Sequence, residues 1–273
     1  MKFAVLMTCH NRVETTLECL AHLSAAAKGH DYDVYLNDDG STDGTGARVA
    51  AAYPEVKIIQ GSGSDYWCGG MRRAWSVAAS SGVDCDGYLW LNDDTFLFPD
   101  GLRTLFAAPD LARTICAGAI CSRDGKTATY GGEDAHGFLP PNGRWQALRQ
   151  MNGNVVWVPR AVFARLGNLD RRWTHAMGDV DYSRTAVERG IPVLLSPRFI
   201  GSCERNGRPT PWRNPRVPLL ARLKNLYSPL GYGEPYNMFR YYLKHDGLVW
   251  AIRNWLSCHY QVLFPRKETP CVS

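Results

Sequence analysis

Asn37-Asp38-Asp39-Gly40-Ser41-Thr42-Asp43 and, further along, Leu91-Asn92-Asp93-Asp94-Thr95 each follow a short apolar run that reads as a β-strand. Together they bring four carboxylates, Asp38, Asp39, Asp93 and Asp94, to one edge of a sheet. Open α/β sheets bind their ligands at the carboxyl ends of parallel strands. Hard carboxylate oxygens placed there suit a divalent cation and the phosphate groups that travel with it.

Outward from these stretches, strand and helix signals alternate as a mostly parallel, helix-flanked sheet requires. Lys2 to Thr8 reads as a buried first strand, and Val13, Leu17, Leu20 and Ala21 supply one face of the helix after it. Asp33 to Leu36 is the second strand, followed by a small-residue helix through Ala52 and a strand at Val56 to Ile59. Gly61 to Gly70 reads as a glycine-rich loop entering a helix whose Met71, Ala74, Trp75 and Ala78 share one side. Gly87 to Leu91 is the central strand. Ile115 to Cys121, Val155 to Val158 and Val193 to Leu195 read as further strands, and Asp179 to Arg189 as a helix closed by Gly190. The Gly/Pro-rich excursion between 122 and 150 predicts a hairpin or a substrate loop, and Gly201 to Pro218 a mobile loop.

A length of 273 residues fits one large domain with a tail, divided as 1–211 and 212–273. The net charge of +5 is unevenly placed: beyond residue 211, nine Lys or Arg face only Glu234, Asp246 and Glu268. Trp212, Tyr227, Tyr241, Tyr242, Trp250, Trp255 and Tyr260 are interleaved with these charges. That mixture points to a membrane interface or a carbohydrate-facing surface, beside the plainer reading of a solvated face, and not to nucleic acid. No run approaches the roughly 18 apolar residues a bilayer span needs. The nine cysteines lack Cys-x-x-Cys spacing, so they read as core thiols rather than a disulfide framework or a zinc site. Phe3 to Met7 is too short for a signal-peptide core, which makes the cytoplasm the expected compartment.

Single motifs decide little. A calcium loop starting at Asp39 would have Ser41, Asp43 and Gly44 in place but Ala50 where the closing Glu belongs. A dinucleotide fingerprint would need Gly-x-Gly-x-x-Gly after the first strand, where the chain has Thr8-Cys9-His10-Asn11-Arg12. The set is more informative: Thr8, then Asp38-Asp39-Gly40-Ser41, then Asp93-Asp94, then Gly178-Asp179-Val180-Asp181-Tyr182-Ser183-Arg184. In this order the chain resembles glycosyltransferase family 2 over roughly residues 2 to 205, with C-terminal helices similar to those of rhamnosyltransferase-like members.

The resemblance implies the α/β nucleotide-diphospho-sugar transferase fold called GT-A and an inverting transfer. It implies a UDP- or dTDP-sugar donor, a saccharide or lipid-linked saccharide acceptor in cell-surface polysaccharide synthesis, and Mg²⁺ or Mn²⁺. It places Thr8 and Asp39 at the base, Arg72 near the nucleotide or diphosphate, Asp93 at the ribose and Asp94 at the metal. Asp179 matches the catalytic base, ionised at neutral pH with an unperturbed pKa of about 3.9. Asp181 lies off that helix face and reads as a partner for Arg184 or an acceptor contact. The tail implies contact with a membrane surface, with the acceptor or with a second subunit in a homodimer, and the loop from 201 to 218 implies acceptor access.

This chain departs from the pattern twice: Gly178 stands where an acidic residue often precedes the base, and Cys203 stands near a metal- or diphosphate-binding His. Those departures give some motive for a non-catalytic nucleotide-sugar binding module. A sugar nucleotidyltransferase is the other competitor, but its glycine- and arginine-rich loop with a lysine after the first strand is absent. Trp67 offers a stacking face for a donor pocket, Trp90 reads as a core aromatic, and His10 and His175 are assigned no role.

Overall fold

The computed structural model describes residues 1–205, 211–231 and 234–265. The chain forms two compact units, one of Met1–Arg171 with Gly178–Arg205, the other of Arg172–Met177 with Asn206–Ser273. The second unit thus includes a short segment drawn from the middle of the first.

The first unit opens with β1 (Lys2–Cys9), α1 (Val13–Ala26), β2 (Asp31–Asp38), α2 (Thr45–Ala52), β3 (Lys57–Gln60), α3 (Tyr66–Ser80) and β4 (Gly87–Leu91). After the Asp-rich turn come β5 (Phe96–Leu97), α4 (Gly101–Leu105), β6 (Ile115–Cys121), and the short strands β7 (Ala128–Tyr130), β8 (Gly132–Glu133), β9 (Gln146–Ala147) and β10 (Gln150–Met151). β11 (Val155–Pro159), α5 (Arg160–Leu166), α6 (Gly178–Glu188) and β12 (Val193–Ser202) complete it.

The main sheet runs β3-β2-β1-β4-β11-β6-β12-β5. It is parallel from β3 to β4, where each crossover carries a helix, and becomes antiparallel where β11 inserts beside β4. The register sets Thr8 opposite Asn37 and Cys9 opposite Asp38, so β1 and β2 end level. Both Asp-rich turns therefore open onto one edge.

β1 shows how the sequence builds two layers. Phe3, Val5 and Met7 point into one core with Leu20 and Leu23 of α1 and Leu102 of α4, while Ala4 and Leu6 point into the other with Met71 and Trp75 of α3. That alternation is the period of two expected of a strand covered on both faces. Each such Leu, Met or Phe contributes roughly 1.5–3 kcal/mol by its burial, which anchors the strand ends that carry the site.

Three expectations change. The segment Gly61 to Gly70 is only partly loop, because α3 already starts at Tyr66. Gly70 lies against Thr8 so closely that a Cβ would overlap the threonine hydroxyl, so its glycine serves helix-to-strand packing rather than a turn. The last strand extends from Val193 to Ser202 with breaks in its pairing near Pro197, longer than an apolar run alone reveals. The loop expected over 201–218 begins after Ser202, residues 206–210 of it lie outside the described residues, and Pro211–Arg213 form a 3₁₀ turn.

The second unit holds α7 (Leu219–Leu226), α8 (Pro235–His245) and α9 (Leu248–Leu263), and a small core forms from Trp212 of the 3₁₀ turn, Leu226 of α7, and Cys258 and Val262 of α9. No helix among the described residues is long and apolar enough to cross a membrane.

Candidate active site

The turn after β1 and the turn after β2 are tied together by one side chain. Asn11 adopts a left-handed backbone (φ 51°), which asparagine tolerates better than most residues. Its Oδ1 accepts from the N–H groups of Thr42 (2.7 Å) and Asp43 (3.3 Å), and its own N–H donates to the Ser41 hydroxyl. His10 adds a bond from Nδ1 to the Asp39 carbonyl at 2.7 Å. Within the turn, the Ser41 N–H donates to Asp38 Oδ1 at 3.0 Å and the Thr45 N–H to Asp43 Oδ1 at 2.9 Å.

Asp39 is buried, and its carboxylate accepts three backbone N–H groups where the chain enters α3: Gly63 at 2.7 Å and Asp65 at 3.1 Å on Oδ1, Tyr66 at 2.9 Å on Oδ2. A carboxylate oxygen has two lone pairs, so Oδ2 retains acceptor capacity. Thr8 accepts from the Asn37 side chain at 3.3 Å and rests on Gly70. Arg72 donates from Nη1 to the Asp170 carbonyl at 3.2 Å, whereas its neighbour Arg73 turns outward to pair with Asp65 at 2.7 Å.

β4 is buried throughout and delivers the second pair. Asp93 is buried, and its carboxylate accepts from Arg12 Nη1 at 3.2 Å on one oxygen and from the Thr16 hydroxyl at 3.5 Å on the other. Burial pushes its pKa up to about 7, against the lowering pull of the Arg12 charge. Asp94 is more open, its side chain 25% exposed, and accepts from the same Arg12 Nη1 at 2.7 Å. Its other oxygen faces the Cys203 thiol at 3.6 Å.

Mg²⁺ and Mn²⁺ call for hard oxygen donors, and the side chains around Asp94 meet that need only in part. Burial and the Asp94 charge push the Cys203 thiol up to about 12, so at neutral pH it is a neutral, soft donor that Mg²⁺ and Mn²⁺ disfavour. Among the described residues, no group of three or more His, Cys, Asp or Glu could hold a metal by itself. Asp94 does offer a partly exposed hard oxygen, and Mg²⁺ is commonly bound by one or two carboxylates together with substrate phosphates. The residues fit a cation that arrives with a diphosphate, not a closed protein cage.

Asp179 is built differently. It occupies the first turn of α6, where its Oδ2 accepts the Gly153 N–H at 2.8 Å and its Oδ1 accepts the Val180 N–H at 2.9 Å. Burial raises its pKa, and these backbone bonds pull the other way. Gly178, one of the two departures, has a packing cause: a Cβ there would run into the Cys68 sulfur. Burial raises the Cys68 thiol pKa, with the Asp179 charge raising it further and that of Arg72 lowering it. Asp181 is buried.

One indole joins the two carboxylate centres. Trp67 donates from Nε1 to Asn92 Oδ1 at 2.7 Å, next to Asp93, and its ring fills the space that a side chain at Gly153 would need, where the Gly153 N–H donates to Asp179. Trp90 is fully buried in the core, edge-on to Trp67. The residue that sequence reading missed is Arg12, the cation bridging Asp93 and Asp94. Its signal was a basic residue directly after Asn11 at the end of the first strand, but a lone arginine in a turn reads as solvated until its partners 81 and 82 residues away are known.

A parallel half-sheet with carboxylates at its strand ends, joined to a further acid on a later helix, is the arrangement of a GT-A glycosyltransferase, and the chain is one. The model of Glycosyl transferase family 2 matches residues 4–165, and the protein belongs to that family. A comparison with curated proteins finds no match. Among solved structures, TarS 1-349 of S. aureus aligns with a TM-score of 0.59 at 13% identity, covering 95% of this chain and 72% of that one. The same protein in complex with UDP-GlcNAc gives 0.58 at 14%, over 95% and 73%. The mannosyltransferase PcManGT from Pyrobaculum calidifontis, in complex with GDP-Man and Mn²⁺, gives 0.55 at 15%, over 97% and 76%. At such identities the likeness is one of fold.

Proposed function

We propose that the protein transfers a sugar, with inversion, from a pyrimidine nucleoside diphosphate donor to a saccharide or lipid-linked saccharide hydroxyl in cell-surface polysaccharide synthesis. The observation that carries this reading is the Trp67 bridge: its indole bonds Asn92 beside Asp93 and packs against Gly153, whose N–H donates to Asp179. Asp39 offers its remaining Oδ2 lone pair to the N3–H of uracil or thymine, with Thr8 beside it, and Arg72 serves the nucleotide. Asp93 receives the ribose. Asp94 would hold Mg²⁺ or Mn²⁺ together with the diphosphate; such an ion would stabilise the charge that develops on the leaving group.

In the transfer, the acceptor oxygen attacks the anomeric carbon on the face opposite the diphosphate. The carbon–oxygen bond to the diphosphate breaks with its electron pair, and the acceptor proton passes to Asp179. A raised pKa makes Asp179 a stronger proton acceptor than an ordinary carboxylate. The test is a screen of nucleotide sugars for nucleoside diphosphate release with Mg²⁺ or Mn²⁺ and saccharide acceptors. Release from one UDP- or dTDP-sugar is expected; no release from any donor contradicts the proposal.

The second unit supports contact with an anionic membrane surface. Val249, Ile252, Leu256, Tyr260 and Leu263 are exposed and recur along one face of α9, with Arg253 at its border and exposed Arg240 and Lys244 on α8. Apolar residues beside basic ones fit an acidic headgroup layer better than a second copy bearing the same charges. Co-sedimentation with vesicles containing anionic lipid, and not with neutral ones, is the expected result; self-association without vesicle binding contradicts it.

A further inference from the structure

Arg12 does more than neutralise charge. Its Nη1 lies 2.7 Å from Asp94 and 3.2 Å from Asp93, bridging the two carboxylates from the turn after β1. A divalent cation held by the same Asp94 oxygen would have to compete with this guanidinium for it. The other Asp94 oxygen faces a neutral thiol, which offers that cation no second hard ligand. A guanidinium and a metal ion compete for this seat, because both draw on the charge of the same carboxylate and, being positive, repel each other.

We propose that Arg12 is a resident cation on the metal seat, which yields Asp94 to a divalent ion only when a nucleoside diphosphate arrives to receive the guanidinium. This rests on the glycosyltransferase reading of the site above, and deepens it by assigning an order of loading. The guanidinium is suited to the exchange, since its planar fork pairs bidentately with phosphate as readily as with carboxylate. Its side chain is 41% exposed and sits just before α1 rather than inside it, where it is free of helix packing. The site then rejects free metal and accepts the metal–diphosphate pair.

The test is Mn²⁺ binding to the full chain in the absence of any nucleotide, followed by electron paramagnetic resonance. The wild type is expected to bind Mn²⁺ weakly, and Arg12→Gln at least ten times more tightly, with the gain abolished by adding Asp94→Asn. Arg12→Lys, which keeps the charge, is expected to stay near wild type. Arg12→Met retains the aliphatic stem and serves as the second neutral variant should Arg12→Gln fold poorly. Unchanged or weaker Mn²⁺ binding in the neutral variants overturns the proposal. Because no donor is present, this outcome is read independently of turnover: a protein that transfers no sugar can still show the exchange, and an active one can lack it.

Discussion

The two acidic centres of this glycosyltransferase use the same side chain in opposite surroundings. Asp93 and Asp94 end a buried strand and accept one arginine side chain between them. Asp179 begins a helix, and its carboxylate accepts from backbone N–H groups of Gly153 and Val180. At the strand end the charge of the carboxylates is met by a guanidinium, whereas at the helix start burial raises the Asp179 pKa against the pull of its backbone bonds. Sequence-identical residues thus acquire different chemistry from what the fold puts beside them.

The comparison breaks first at Asp179. Asp179→Asn is expected to lower turnover by about 10²–10⁴-fold, the usual contribution of a general base; near wild-type turnover in a donor-hydrolysis or transfer assay removes the assignment. Asp94→Asn is expected to cost about 10²-fold in metal-dependent turnover, the order found when one stabiliser of developing charge is removed, measured as nucleoside diphosphate release against metal concentration. Gly153→Ala places a methyl group into the Trp67 ring and near Asp179. Overpacking of this kind costs about 1–3 kcal/mol, visible in thermal denaturation, and should lower turnover as well by displacing the floor between the two centres.

A gentler probe is pH. Burial raises the Asp179 pKa, and the base must be ionised to work, so kcat/KM should fall as pH drops, with its acid limb above the ordinary carboxylate value of about 3.9. A limb at or below that value contradicts the role of burial.

Much of the fold was legible in sequence because the parallel half obeys simple periodicities. β1, α1, β2, α2 and β4 follow apolar runs and helical spacing, and the Asp-rich turns mark strand ends without further information. What stayed hidden depends on contacts between distant segments. Gly70 and Gly178 read as a loop glycine and a missing acid, yet both are small because Thr8 and Cys68 lie against them. β12 crosses Pro197 with interrupted pairing, which no period of two reveals. Among the candidate site residues, Thr8, Asp39, Arg72, Asp93, Asp94 and Asp179 are reached through the family resemblance, but Arg12 is not, since only the register of β1 beside β4 brings it to Asp93 and Asp94.

The division of labour between the two centres is tested most directly by titrating UDP with Mn²⁺ into Asp94→Asn and Asp179→Asn side by side by calorimetry. The account predicts that Asp94→Asn loses at least tenfold in affinity while Asp179→Asn stays within about twofold of wild type, a tenfold change being about 1.4 kcal/mol. Equal losses in the two variants, or a larger one in Asp179→Asn, would contradict it.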